Sequence, residues 1–244
     1  YAEYSILDGD YNQNSQVEAG ETVDMELQLH NYGSDDATDI FAILSTEHPQ
    51  VTILEDETSF DPIVPDGDNV CLTPFSFSVD SECPDGTMIE FNLDIESDEN
   101  SWGGSFYVEA HAPELTCLGL QVDDEINGQL DPGETRDLML TVHNGGSGLL
   151  TGVGSLFTLT DEFITVDQNS CDLDEIAPGG SGELCFTVTA APETPIGHTI
   201  EPGVLINGDL EYTAEFDLTL AIGLTVDGFE TGDLNREDYV IKYF

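Results

Sequence analysis

Oxygen-bearing side chains recur at one fixed spacing in two places. Asp10, Asn12, Asn14, Gln16, Glu18 and Glu21 fall at positions 1, 3, 5, 7, 9 and 12 of a twelve-residue stretch, with apolar Val17 at position 8. Asp123, Glu125, Asn127, Gln129, Asp131 and Glu134 repeat the pattern, with Leu130 at position 8. The second stretch has Gly128 at the turn position, where the first has Ser15. This is the spacing of a calcium loop, in which several hard oxygens converge on one ion and a late carboxylate closes the site. The expected cofactor is structural Ca2+. No helical period flanks either stretch, so the ion would sit in a loop of a β-fold and not between EF-hand helices. The same residue types also make a plain polar turn between two strands, and that reading stands beside the first.

Cysteines are the next reactive group: Cys71, Cys83, Cys117, Cys171 and Cys185. They suit an oxidising compartment, although the odd count leaves one without an intrachain partner. Cys71 and Cys83 flank a segment that reads as a strand, whose ends would lie roughly 30 Å apart. Bridged Cα atoms lie about 4.4–6.8 Å apart, so that pair is unlinked. The expected pairs are Cys83 with Cys117, as a staple between domains, and Cys171 with Cys185, across the loop they bracket. Cys71 is left as a small buried residue. The alternative is that all five are reduced core residues.

Catalytic constellations are not found. No G-x-S-x-G or H-E-x-x-H occurs, and His48, His111 and His198 are isolated. Carboxylate pairs are so frequent that none singles out glycosidase chemistry. The expectation is a chain without enzymatic activity. Trp102, the single tryptophan, stands in Ser-Trp-Gly-Gly; it is either a sugar-stacking residue or hairpin packing.

The charge balance narrows the partners. The chain of 244 residues carries 51 Asp+Glu against 3 Lys+Arg, a formal net charge of −48. Such a surface repels phosphate backbones and anionic headgroups, so neither nucleic acid nor a membrane is expected as a partner. The three cationic side chains are Arg136, Arg236 and Lys242. With 39% hydrophobic residues, the chain is expected to fold with its charge outward. It begins with Tyr1 and is read as a mature chain or a fragment, with an extracellular or cell-surface location.

These residues need elements to hold them, and an internal repeat supplies them. Residues 10–33 align without gaps on residues 123–146, with eleven of twenty-four positions identical, including His30-Asn31 on His143-Asn144 and Gly33 on Gly146. His30 and His143, at equivalent strand ends, therefore read as serving the fold. The offset of 113 carries on through Val51-Thr52-Ile53 onto Ile164-Thr165-Val166. Period-two segments such as Met25–His30, Phe75–Val79, Leu138–His143 and Phe216–Leu220, with Gly, Pro and Asn turns between them, read as strands. The expected fold is all-β: two tandem immunoglobulin-like β-sandwich domains, residues 1–112 and 113–223, and a short strand-like tail, 224–244.

The stretch N-G-Q-L-D-P-G-E-T, followed by L-x-V-x-N-x-G, resembles the start of the immunoglobulin-like, cell-adhesion-related repeats of bacterial and archaeal surface proteins. Similar repeats follow the catalytic domain of gingipain-type secreted peptidases. Gly228-Phe-Glu-Thr-Gly-Asp-Leu234 also resembles a stretch between such repeats and later modules. The resemblance implies a spacer or structural role. Tyr239, Ile241 and Tyr243 alternate along the tail and could add a strand to a neighbouring copy's sheet, giving an open filament. The expected function is an extracellular structural protein, a calcium-stabilised filament subunit or surface stalk, with copies of itself or other cell-surface proteins as partners. The alternatives are a spacer fragment of a larger secreted peptidase or adhesin, and a carbohydrate- or protein-binding module.

Overall fold

A computed structural model describes residues 2–7 and 14–223. Among them the chain is all-β and contains no helix. Contacts divide it into two compact units, Tyr1–Ala112 and Pro113–Phe244. The expected tail, 224–244, lies outside the described residues.

Unit 1 contains β1 (Ala2–Leu7), β2 (Val17–Glu18), β3 (Thr22–His30), β4 (Ile40–Ser45), β5 (Val51–Glu55), β6 (Glu57–Phe60), β7 (Asp68–Val70), β8 (Phe75–Val79), β9 (Thr87–Glu96) and β10 (Ser101–His111). One sheet runs β1-β3-β8-β5, with β7 also on β3, and the other runs β2-β10-β9-β4-β6. The period-two pattern decides which side chains go inside. Val23, Met25, Leu27 and Leu29 of β3 are buried, and Thr22, Asp24 and Gln28 between them are exposed. Phe75 and Phe77 of β8 meet Ile89, Phe91 and Leu93 of β9 in the same core, where the rings of Phe77 and Phe91 lie 4.9 Å apart. Each such side chain contributes about 1.5–3 kcal/mol by leaving water. The alternate positions, among them Asp24, Glu90, Asp94 and Glu96, point outward, so the charge is carried on the outer faces.

Unit 2 contains β11 (Leu115–Asp123), β12 (Thr135–Asn144), β13 (Leu150–Thr158), β14 (Ile164–Gln168), β15 (Ser170–Ile176), β16 (Ser181–Ala190), β17 (Thr199–Ile200), β18 (Gly203–Asn207), β19 (Thr213–Asp217) and β20 (Leu220–Ala221). Its sheets run β11-β12-β16-β14 and β15-β13-β18-β19, with β17 paired to β20. The order β1-β3-β8-β5 recurs as β11-β12-β16-β14, and β10-β9-β4-β6 as β19-β18-β13-β15; β2 and β7 of unit 1 and the β17-β20 pair of unit 2 lie outside this shared order. Both units also share one irregularity. Val51–Glu55 pairs with β8, but beyond Asp56 the chain crosses and Glu57–Phe60 pairs with β4 in the opposite sheet. Ile164–Gln168 and Ser170–Ile176 do the same with β16 and β13.

Candidate functional site

The two acidic loops are built on one hydrogen-bond plan. In the first, Asn14 Oδ1 accepts from the Gln16 backbone N–H at 2.7 Å, and Asn14 Nδ2 donates to Glu18 Oε1 at 3.2 Å. The Glu18 backbone N–H donates to Glu21 Oε2 at 3.2 Å. In the second, Asn127 Oδ1 accepts from the Gln129 N–H at 3.0 Å and Asn127 Nδ2 donates to Asp131 Oδ2 at 2.8 Å. The Asp131 N–H donates to Glu134 Oε2 at 3.2 Å. The recurring spacing of Asn, carboxylate and Glu therefore has a local structural use in both copies. It folds the turn and satisfies backbone donors.

The loops differ in what faces their carboxylates. In the second, Arg136 Nη2 lies 3.1 Å from Asp124 Oδ1 and 2.7 Å from Glu134 Oε1. The guanidinium is a built-in cation, reaching in from the second residue of β12. The Asp124 side chain is only 5% exposed. Its carboxyl is held below its usual range, first by the Asn127 amide; burial opposes this, and the Ile126 and Gly128 amides and the Arg136 charge add to it. Asp124 was not among the expected ligands. Of those six, Asp123 and Glu125 are exposed, and Asp131 and Glu134 are engaged as above. Gln129 Oε1 is buried without a hydrogen bond. Arg136 already meets the Asp124 and Glu134 carboxylates and the Asn127 amide takes up Asp131, so these oxygens are engaged within the chain, whereas a calcium ion takes six to eight of its own.

In the first loop, Val23 stands at the place of Arg136. Glu18 and Glu21 are each 3% exposed, and burying ionised carboxylates requires compensation by charge or hydrogen bonds. These two, with Asn14 and Gln16, present oxygens of the hard type that calcium takes. Asp10 and Asn12, the other expected ligands, lie outside the described residues. Among the described residues, no group of three or more His, Cys, Asp or Glu is placed to hold a metal.

The histidines at equivalent strand ends serve different partners. His30 Nδ1 is 2.8 Å from Asp68 Oδ1 and its ring lies 4.0 Å from that of Tyr32, whereas His143 Nδ1 meets Ser181 Oγ at 3.2 Å. The asparagines that follow them, expected only as part of a turn, hold the turn through several hydrogen bonds. Asn144 is fully buried; its amide donates to Gly148 O at 2.9 Å and Ile176 O at 3.1 Å, while its oxygen accepts from the Gly146 and Glu114 N–H groups. Asn31 clasps Asp35 O, Ile63 O and the Gly33 N–H in the same way. The repeated Asn-x-Gly was the available signal.

Among the disulfide candidates, Cys83, Cys171 and Cys185 carry free thiols, as does Cys71. Cys117 is half-buried in unit 2, whereas Cys83 belongs to unit 1. Burial, and then the charges of Asp137, Cys171 and Asp123, push the Cys185 thiol up. The assembly candidates Tyr239, Ile241 and Tyr243 lie outside the described residues.

Unit 1 also holds a cleft of about 530 Å³, lined by Leu29, Ile40, Ile63, Leu93, Ile95 and Trp102 among others. Trp102 pairs with Ile95 and Gly104 with Leu93. By alternation with Phe106, Val108 and Ala110, both positions face inward. Trp102 is 49% exposed at the mouth.

No family model matches the chain, and no curated protein matches it. A solved structure, the crystal structure of red sea bream transglutaminase, is similar at a TM-score of 0.31 and 12% identity; the match covers 91% of this chain and 31% of that one. The chain thus spans about a third of the length of that protein. The expectation of a chain without enzymatic activity is withdrawn on this finding, because the similar protein is an enzyme. At that score and identity the likeness carries no activity over to this chain.

Proposed function

We propose that the chain is a structural element of a cell exterior, formed of two immunoglobulin-like domains in tandem, and that it serves as a filament subunit or surface stalk. The observation that carries this reading is the repetition of one module. The sheets β1-β3-β8-β5 and β11-β12-β16-β14 have the same order, as do β10-β9-β4-β6 and β19-β18-β13-β15 opposite them, down to the strand that crosses between sheets. In unit 1, β1, β3, β8 and β5 share one sheet and β4, β9 and β10 share the other, an order that supports reading the module as an immunoglobulin constant-type sandwich. The surface-protein resemblance of Asn127–Gly146 points the same way. A charge of −48 suits a solvated exterior rich in cations.

Calcium belongs to the first loop in this reading. Glu18 and Glu21 hold it, helped by Asn14 and Gln16 and by the expected ligands Asp10 and Asn12. There the ion offsets buried carboxylate charge, the part that Arg136 plays in the second loop. Two experiments test the reading. Electron microscopy of native material is expected to show filaments or elongated surface structures, and monodisperse compact particles would remove the filament. In scanning calorimetry at low salt, calcium is expected to raise the transition of unit 1 and leave that of unit 2 unmoved. No calcium shift in either transition would remove the ion.

A further inference from the structure

The cleft in unit 1 exists because one inward position lacks a side chain. In the row across β4, β9 and β10, Leu44 pairs with Leu93 and Leu93 with Gly104. The corresponding row of unit 2 is Phe157, Val204 and Phe216; Leu44 and Phe157 are related by the repeat offset of 113. Phe216 packs its ring against the core of unit 2. At Gly104 the same place is empty, and a Cβ built there meets no atom within 4 Å. One further pair along, Trp102 replaces Ala214, so an indole flanks the opening. Unit 1 thus leaves a slot of aromatic size where its sister domain supplies a ring of its own.

The rim of the slot is acidic on one side, where Asp66 and Asp68 flank His30, which borders the cleft. An occupant must therefore bring an aromatic ring for the interior and positive charge for the rim. Cations are scarce in this chain. Arg136 is committed to Asp124 and Glu134; the other two, Arg236 and Lys242, both fall in the last nine residues, interleaved with Tyr239, Ile241, Tyr243 and Phe244. No other stretch of the sequence combines these two properties.

We propose that the cleft at Gly104 and Trp102 receives an aromatic side chain from the C-terminal segment Arg236–Phe244 of a second copy, with Arg236 and Lys242 set against the acidic rim. The proposal rests on the structural reading above and names the contact by which copies join. The ring would bury apolar surface against Leu93, Ile95 and Trp102, and the two cations would meet carboxylates otherwise repelled from every neighbouring molecule. Donor and acceptor surfaces are different parts of the chain. The contact is therefore heterologous and propagates from copy to copy.

Trp102 is the single tryptophan, so its fluorescence reports on the cleft alone. The test titrates the full chain with a synthetic peptide of residues Leu234–Phe244 and follows Trp102 emission. The expected result is a saturable blue shift. Charge reversal of Arg236 and Lys242 in the peptide is expected to weaken the response at least about tenfold. Gly104→Phe, which installs the ring that unit 2 already has, is expected to fold and to abolish the response. An unchanged emission up to millimolar peptide overturns the proposal, as does an equal response in Gly104→Phe. Protection of Trp102 from acrylamide in the full chain at every protein concentration also overturns it, because the segment of the same molecule would then fill the cleft. Filaments seen together with an unresponsive Trp102 would leave the structural role standing and remove this contact alone.

Discussion

Arg136 Nη2 stands 2.7 Å from Glu134 Oε1, two residues away, and the same nitrogen reaches Asp124 at 3.1 Å. A chain with three cationic side chains has placed one of them inside an acidic turn. Arg136→Val, which copies the first loop, is expected to lower the melting temperature of unit 2 by about 2–5 °C. The pair is partly exposed and so worth little as a surface salt bridge, but charge-assisted hydrogen bonds to two carboxylates raise its value. The effect depends on pH. Asp124, held below its usual range first by the Asn127 amide, contributes stability above its unfolded value of about 4 that is lost as pH falls through its folded value. Thermal scans of the two proteins should differ at pH 7 and converge near pH 2.

The asparagine clasp is a larger structural commitment. Asn144→Ala would leave Ile176 O, Gly148 O and the Gly146 and Glu114 N–H groups without their partner in a fully buried site. The expected cost is about 2–4 kcal/mol, from the penalty for orphaned buried groups. Asn31→Ala should cost less, because Asn31 is only half-buried and its hydrogen bonds lie nearer to water. Denaturant midpoints at constant m-value would rank the two. Equal shifts would show that burial does not set the cost here.

The all-β class was legible because Met25–His30 and Leu138–His143 alternate with period two, and the repeat was legible because Asn31, Gly33 and their counterparts sit at one offset. The crossing of β5 into β6 was not, since Glu55, Asp56 and Glu57 carry no signal for which sheet the chain joins. The acidic spacing was read as six ligands for an ion. In the second loop, a cation two residues beyond the motif, Arg136, and a carboxylate between the spaced positions, Asp124, form the electrostatic centre. Composition marked Arg136 as rare, but only the turn geometry brings it back onto the loop. The cleft at Gly104 was equally hidden, because a Gly-Gly beside Trp102 reads as a hairpin. It becomes visible only when the rows Leu44-Leu93-Gly104 and Phe157-Val204-Phe216 are laid side by side.

His198 and Asp161 form a second polar fastening in unit 2, with Nε2 and Oδ2 2.8 Å apart. Burial opposes ionisation of Asp161. The Phe163 amide and the His198 imidazole outweigh it, and the carboxyl ends below its usual range. A depressed carboxyl adds stability above the unfolded value of about 4 and loses it as pH falls through the folded value. Asp161→Asn is therefore expected to lower the melting temperature at pH 7 and to match the parent protein near pH 2. A constant difference across that range would mean that packing against Phe163, and not charge, is what the substitution removes.

Cys71 and Cys83 are buried at opposite ends of the segment that contains β8. Burial pushes both thiols up, and the Leu27 N–H donating to Cys71 Sγ at 3.3 Å offsets only part of the effect on Cys71. The thiolate is the reactive form, so both residues should be nearly inert while unit 1 is folded. Iodoacetamide at pH 8 is expected to leave them unmodified over an hour in native buffer and to label both within minutes in denaturant. Peptide mass mapping distinguishes these two from Cys171 and Cys185, which are half-buried. Because reaction at Cys71 requires β3 and β7 to separate around it, its labelling rate also reports local opening of unit 1. Calcium bound at Glu18 and Glu21 should slow that rate, while leaving the half-buried thiols of unit 2 unchanged. Labelling of Cys71 as fast as that of Cys171 in native buffer would show that the first core opens readily, whatever holds its loop.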